Sequence, residues 1–345
     1  MITPVLRTPR PPRTSRARIA VTAHVLVAAA LLTGCGDSGD DGKSAGLRIG
    51  IAPNAVLDAA TAGLRTDEKL KAEAGKVSFS SLRSPDEMRT QLTSGSVDVL
   101  TLPSNIAANL HSRGVDVRIL GIIDGPVDVL VGPPSASTSW ESLRGETVHI
   151  AFKGDVNDVL FRSLAEKNGL KPGEDFEIVN HPSLPDLLTA VGAGKAEYAL
   201  LPEHQASLAS ARAQSAGKPK KPILALGAEW KKKTGQETLP TYAVGVRGKY
   251  ADANPEVVRH LHQALARSTQ SAGAHGDDLA AGVAERTGAP QPLVTGLLAR
   301  LEPAYSTARD VQAGLTALFT ELAAASPALV GGKVPGDGLY VTEGS

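Results

Sequence analysis

The residues able to do chemistry are polar side chains that follow short apolar runs. Early in the chain these are Asn54, Arg83, Ser84, Thr101, Ser104 and Asn105. Further on they are Lys153, Gly154, Asp155, Asn157, Asp158, His181, Ser183, Glu203 and His204, and Tyr242 opens a later run. If the runs are parallel strands, these positions fall at strand carboxyl ends, where open α/β sheets bind ligands beside helix N-termini. Arg83 and Lys153 suit an anionic group. Asp155, Asp158 and Glu203 suit hydrogen-bond donors or positive charge. Both sets together fit a small polar solute such as a zwitterion or a polar heterocycle. Asp155 reads equally as the N-cap of a helix burying Val156, Val159, Leu160 and Leu164, and Ser84 and Ser183 read as caps as well.

Recognised catalytic patterns are missing. The sequence contains neither G-x-S-x-G nor H-E-x-x-H, and "VGAGKAE" (191–197) lacks the first Gly and the Ser/Thr of a phosphate loop. His260 and His262 stand two apart on a helical pattern and so point to different sides. The single cysteine, Cys35, rules out an internal disulfide and any cysteine-rich metal site. No metal and no cofactor is expected, and the chain reads as a binding protein rather than an enzyme. Formal charge is zero overall, but Arg7, Arg10, Arg13, Arg16 and Arg18 have no acidic neighbour before residue 35. The remainder holds 31 basic against 36 acidic residues, which gives no electrostatic footprint for nucleic acid.

These polar groups need a scaffold. "LRIGIA" (47–52), "VSFSSL" (77–82), "VDVLTL" (97–102), "VRILGI" (117–122) and "VDVLVG" (127–132) read as buried strands, with helical patterns between them. That alternation predicts an α/β fold with mainly parallel sheets. An offset of 99 lays "RIGIA" (48–52) over "TVHIA" (147–151), Ser84 over Ser183, Gly95 over Gly194 and "VDVLTLP" (97–103) over "AEYALLP" (196–202). Two similar lobes follow from it. Late helical stripes (Val257, Val258, Leu261, Leu265, then Val311, Leu315, Leu318, Phe319, Leu322) have no sheet of their own and are expected to pack on the first lobe. The basic runs at 218–222 and 231–233 read as solvated loops.

Ahead of the folded part, "IAVTAHVLVAAALL" (19–32) suits a signal peptide and falls short of the ~20 apolar residues of a spanning helix. Leu32-Thr33-Gly34-Cys35 resembles the bacterial lipobox, which implies cleavage before Cys35 and lipidation of its thiol. "GDSGDDGKSAG" (36–46) then reads as a flexible tether. The expected organisation is a lipoprotein signal peptide at 1–34, a tether at 35–46, lobe one at 47–124 plus 242–345, and lobe two at 125–241. The expected location is the outer face of the cell membrane, with the bilayer held through Cys35.

The block "LRGETVHIAFKGDVNDVLFRSLAEKNGLKPGEDFEIV" (143–179), with "LLTAVGAGKAEYALLPEHQAS" (187–207) and "LTSGSVDVLTLPSNIAANLHSRGVDVRILGI" (92–122), resembles the nitrate/sulfonate/bicarbonate-type substrate-binding proteins of ATP-binding-cassette importers. The resemblance implies a two-lobed, periplasmic-binding-protein type II-like fold with hinge crossovers near 123–130 and 227–241. It also implies a receptor that closes on a small solute and presents it to a membrane permease and its ATPase subunit. Enzymes on the same fold, the pyrimidine synthases and menaquinone-pathway lyases, are the alternative, and a ligand sensor for a signalling partner is a third reading. Where the family commonly has Pro-Glu-Pro and a crossover aromatic, this chain has Pro202-Glu203-His204 and Asp124-Gly125-Pro126.

Overall fold

The computed structural model describes residues 46–341, apart from 83, 126–127 and 300–302. Cys35, with its leader and most of its tether, and Arg83 therefore lie outside the described residues.

Strand β1 (Leu47–Ile51) leads through α1 (Ala55–Thr61) and α2 (Glu68–Ala74) to β2 (Val77–Ser81). Then come α3 (Pro85–Thr93), β3 (Val99–Pro103), α4 (Ser104–Ser112) and β4 (Val117–Asp124). A crossover reaches β5 (Asp128–Gly132), and β6 (Thr147–Ala151), α5 (Val156–Lys167), β7 (Glu177–His181) and α6 (Leu184–Gly192) follow. Lobe two ends with β8 (Tyr198–Pro202), α7 (Glu203–Ser215), β9 (Lys221–Ala225) and α8 (Leu226–Thr234). The chain returns in β10 (Tyr242–Arg247) and continues through α9 (Gly248–Ala253), α10 (Pro255–Ala274), α11 (Gly276–Thr287) and α12 (Gln291–Leu298). It closes with β11 (Ala304–Thr307) and α13 (Gln312–Ala325).

Two sheets result, in the orders β2-β1-β3-β10-β4-β11 and β7-β6-β8-β5-β9. In each, the first three strands are parallel and one antiparallel strand is inserted next, β10 or β5. Each inserted strand is the one that enters from the other lobe, and the crossover reverses its direction. The offset of 99 survives in the pairing itself. Ile49 faces Val99 as Val148 faces Tyr198, and Arg48 faces Ser78 as Thr147 faces Glu177. Ser84 and Ser183 cap α3 and α6 by accepting from the amides of Glu87 and Asp186, each at 3.2 Å. Such a cap contributes about 1 kcal/mol. Gly95 and Gly194 both take φ +68° just past those helices, and a Cβ at Gly95 would stand 2.7 Å from Arg247. Glycine is required there to end the helix in the left-handed region.

The stripe of α10 buries Val257, Val258, Leu261 and Leu265 against α1, α2 and β11, in lobe one as its spacing predicts. The last helix departs from that expectation. α13 packs on α4 of lobe one and also on α5 of lobe two, where Glu321 accepts from Ser163 at 2.7 Å and pairs with Lys167 at 2.8 Å. Its apolar face completes a cluster running from Leu102 through Leu130 and Trp140 to Phe161 and Phe319, so both lobes share one core. The crossovers are tied to each other as well, since Thr238 Oγ1 donates to Asp124 at 3.1 Å. His260 Nδ1 donates to the Glu256 carbonyl at 2.9 Å, and His262 meets the Tyr305 hydroxyl at 2.7 Å, so the two rings serve different sides of α10. Among the described residues no helix is long and apolar enough to cross a membrane.

Candidate functional site

The polar strand ends of lobe two converge on two carboxyl groups. Asp155 caps α5, accepting from the Asp158 amide at 3.0 Å. Asp128, the first residue of β5, lies beside it in a small recess also lined by Phe152, Asn157 and Pro202. β5 is buried along its whole length, so the Asp128 carboxyl is withdrawn from water. That burial, with the charge of Asp155 adding to it, pushes Asp128 up to about 7. Burial also raises Asp155 to about 6, against the opposing amide of Asp158. The two carboxyls thus hold or release protons near neutrality. They can accept from a cationic or N–H-bearing group, or exchange a proton with one.

From the other side Tyr242, at the start of β10, brings its hydroxyl near Asn54 and the Asp128 charge. Burial and the Asp128 charge raise its phenol to about 12. Asn54 caps α1 by accepting from the amides of Val56 and Leu57 at 2.9 and 3.2 Å. It also lines a cavity of about 280 Å³ between α1, the α11–α12 turn and Gln205, which reaches in from α7. Asn54 and Tyr242 therefore connect the first sheet to the carboxyl pair of the second.

The turn that leads to Asp155 is one residue longer than the matching turn to Asn54, and it carries Phe152. That residue alone among the described non-glycines has positive φ, +56°, and its ring is 48% exposed at the recess. An L-residue in that region costs about 1–2 kcal/mol, and such strain gathers at binding sites. Replacing Phe152 by glycine is expected to stabilise the protein by about 1 kcal/mol while removing the ring from the recess. A melting temperature that falls would show that ring packing outweighs the strain.

The remaining sequence candidates are placed as follows. Asn157 lines the recess, Lys153 is exposed in the turn, and Glu203 is half-buried at the start of α7. Thr101 is buried with its hydroxyl accepting from the Ala52 amide at 2.9 Å, so it joins β3 to the turn after β1. Ser104 and Asn105 are buried in α4, and Asn105 Nδ2 donates to the Leu329 carbonyl at 3.4 Å. Thr101 and Asn105 thus bond the scaffold from inside, and the Ser104 amide donates to the Thr241 carbonyl at 2.9 Å. His181 is not among the residues lining the recess; its ring is tilted against His149 with a 2.9 Å hydrogen bond between them, and its carbonyl accepts from the Phe152 amide at 2.9 Å. Burial, then the neighbouring His181 and Lys220, lowers His149. Asp128, Phe152 and Gln205 escaped the sequence reading. The available signals were an acid heading an otherwise apolar strand and an aromatic residue in a chain with only five phenylalanines.

The model of the VitK2_biosynth family, menaquinone biosynthesis, matches residues 68–324. The chain belongs to that family. No curated protein matches the sequence significantly. Among solved structures, an ABC transporter from Parabacteroides distasonis is similar at 18% identity and TM-score 0.69, covering 86% of this chain and 99% of that one. The periplasmic aliphatic sulphonate binding protein SsuA from Escherichia coli is 16% identical with TM-score 0.61, over 80% and 85% of the two chains. The periplasmic nitrate-binding protein NrtA from Synechocystis PCC 6803 is 16% identical with TM-score 0.56, over 81% and 80%. At these identities the likeness is one of fold. This menaquinone-biosynthesis family member has a two-lobed, periplasmic-binding-protein type II-like architecture. The resemblance to nitrate/sulfonate-type proteins drawn from the sequence therefore stands for the fold, and the matched family is menaquinone biosynthesis.

Proposed function

We propose that this chain is a solute-binding receptor, anchored through Cys35 on the outer face of the membrane. It delivers a small polar molecule bearing an amine or other N–H donor to an ATP-binding-cassette importer. The observation that carries this reading is the split site: Asp128 and Asp155 on the second sheet, Asn54 and Tyr242 on the first. A ligand contacting both halves stabilises the closed arrangement, which a permease can distinguish from the open one. The lipobox-like Leu32-Thr33-Gly34-Cys35 supports the anchor, and tethering raises the receptor's local concentration at the permease. Asn157, Glu203 and Lys153 are assigned to the rim of the same cleft.

The family match favours a second reading, a lyase-like enzyme that uses the two carboxyls as acid and base near neutral pH. A thermal-shift screen against amines, amino acids, nitrogen heterocycles and sulfonates separates the two. A selective ligand at 100 times its dissociation constant should stabilise the receptor by about 2.7 kcal/mol and be recovered intact. Recovery of a transformed compound would instead establish the enzyme. Asp155→Ala is expected to weaken binding by roughly 10- to 100-fold, while its lost cap costs about 1 kcal/mol of stability, a loss offset near neutral pH by removal of a carboxyl that burial raises to about 6. If calorimetry finds unchanged affinity, Asp155 is a helix cap alone.

A further inference from the structure

A second cavity, of about 180 Å³, opens within lobe one between the carboxyl ends of β1 and β2 and the end of α11. Its walls include Arg65, Arg286, Asp58, Ser80 and Ser81. Asp58 is buried, and Arg286 satisfies it with a fork: Nε lies 2.9 Å and Nη2 2.7 Å from Oδ2. Arg65 is left with a weak share of the same carboxylate, 3.7 Å away. Its guanidinium lies over the Phe79 ring, 4.2 Å from the centroid, and its Nε is buried with no hydrogen-bond partner. Stacking uses the face of a guanidinium and leaves its edge donors free. The cluster therefore holds two cations, one anion already claimed, and an orphaned buried donor, an arrangement that is costly until something accepts from it. Burial, with the like charge of Arg286 adding to it, pulls the Arg65 guanidinium down, and an anion in the cavity would oppose both effects.

We propose that this cavity is an oxyanion site, taking a single carboxylate or phosphate group on the free edge of Arg65, with Arg286 and, on the Phe79 face of β2, Ser81 beside it. The site lies wholly in lobe one and stands whether or not the carboxyl pair of the cleft binds an amine. An oxyanion is matched by the planar donor fork of arginine and by the net positive charge of the cluster.

The test titrates inorganic phosphate and, separately, acetate into the purified full chain at constant ionic strength. A saturable rise in melting temperature is expected with at least one anion. Phosphate alone would assign a tetrahedral group, and acetate alone a carboxylate. Arg65→Gln should abolish the saturation. Arg89→Gln, the same charge change on the exposed face of α3, should keep it. In the wild-type protein the effective anion should also slow phenylglyoxal labelling of Arg65 severalfold, read by peptide mass, and leave Arg89 unaffected. A linear response without saturation, a response kept by Arg65→Gln, or equal labelling with and without anion would overturn the proposal.

Discussion

Replacing Asp128 by asparagine makes the folded protein more stable at pH 8, by up to roughly 4 kcal/mol, and leaves it nearly unchanged below pH 4. The carboxyl ionises at 3.8 when unfolded and at about 7 when folded, because burial in β5 and the charge of Asp155 disfavour the anion. Between those two values the unfolded chain binds fewer protons than the native one, so native stability falls as pH rises and levels off above about 7. Asparagine has the shape of the protonated acid and no proton to lose. The variant should therefore show a flat profile where the wild type slopes downward, in denaturant melts from pH 4 to 8. A stability difference of the same size at both ends would mean that Asp128 ionises normally. If the cleft binds an amine, the same variant should lose affinity at pH 8, giving up binding as it gains stability.

The opposite slope is expected at Asp98, and Asp98→Asn should cost about 3 kcal/mol at pH 7. This carboxylate is 0% exposed and sits just before β3. Arg48 of β1 donates to it twice at 2.8 Å, and Arg247 of β10 donates at 2.6 Å. Burial alone would raise its pKa, but the Arg48 and Arg247 hydrogen bonds overcome that and hold it below the usual carboxylate range. A depressed native value contributes stability that is present above the unfolded pKa and lost as pH falls through the folded one. The penalty of the asparagine variant should then be largest near neutrality and shrink below pH 4. Asp98 lies at the amino end of β3, away from the strand ends that face the cleft. Ligand affinity should survive the substitution, and a parallel loss of affinity would place the cleft under the control of this network.

Much of the scaffold was legible because local rules set it. Ser84 and Ser183 each precede a proline-bearing first turn, so their capping role follows from the few residues around them. The stripe of α10 repeats at helical spacing over twenty residues, and one buried face follows. α13 has an equally plain stripe, but a stripe says that a face is buried and not against what. Its position between α4 and α5 comes from the folded lobes. The candidate site was legible only in part. Asn54 and Asp155 are recognisable because capping residues must stand at strand-to-helix turns. Asp128 was hidden because an acid at the start of a strand is normally solvated, and only the packing of β5 between β8 and β9 removes its water. Arg65, Arg286 and Asp58 meet across more than two hundred residues of chain, which no local pattern records.

The sequence by itself determined the alternation of strands and helices, the 99-residue echo between the lobes, and the caps. Each of these depends on neighbours within a turn or a strand. The tertiary structure alone decided which strands run antiparallel, which lobe the last helix joins, and which carboxyls keep their protons near neutrality. Those properties depend on what lies across a sheet or a core, where distance along the chain carries no information and the removal of water does.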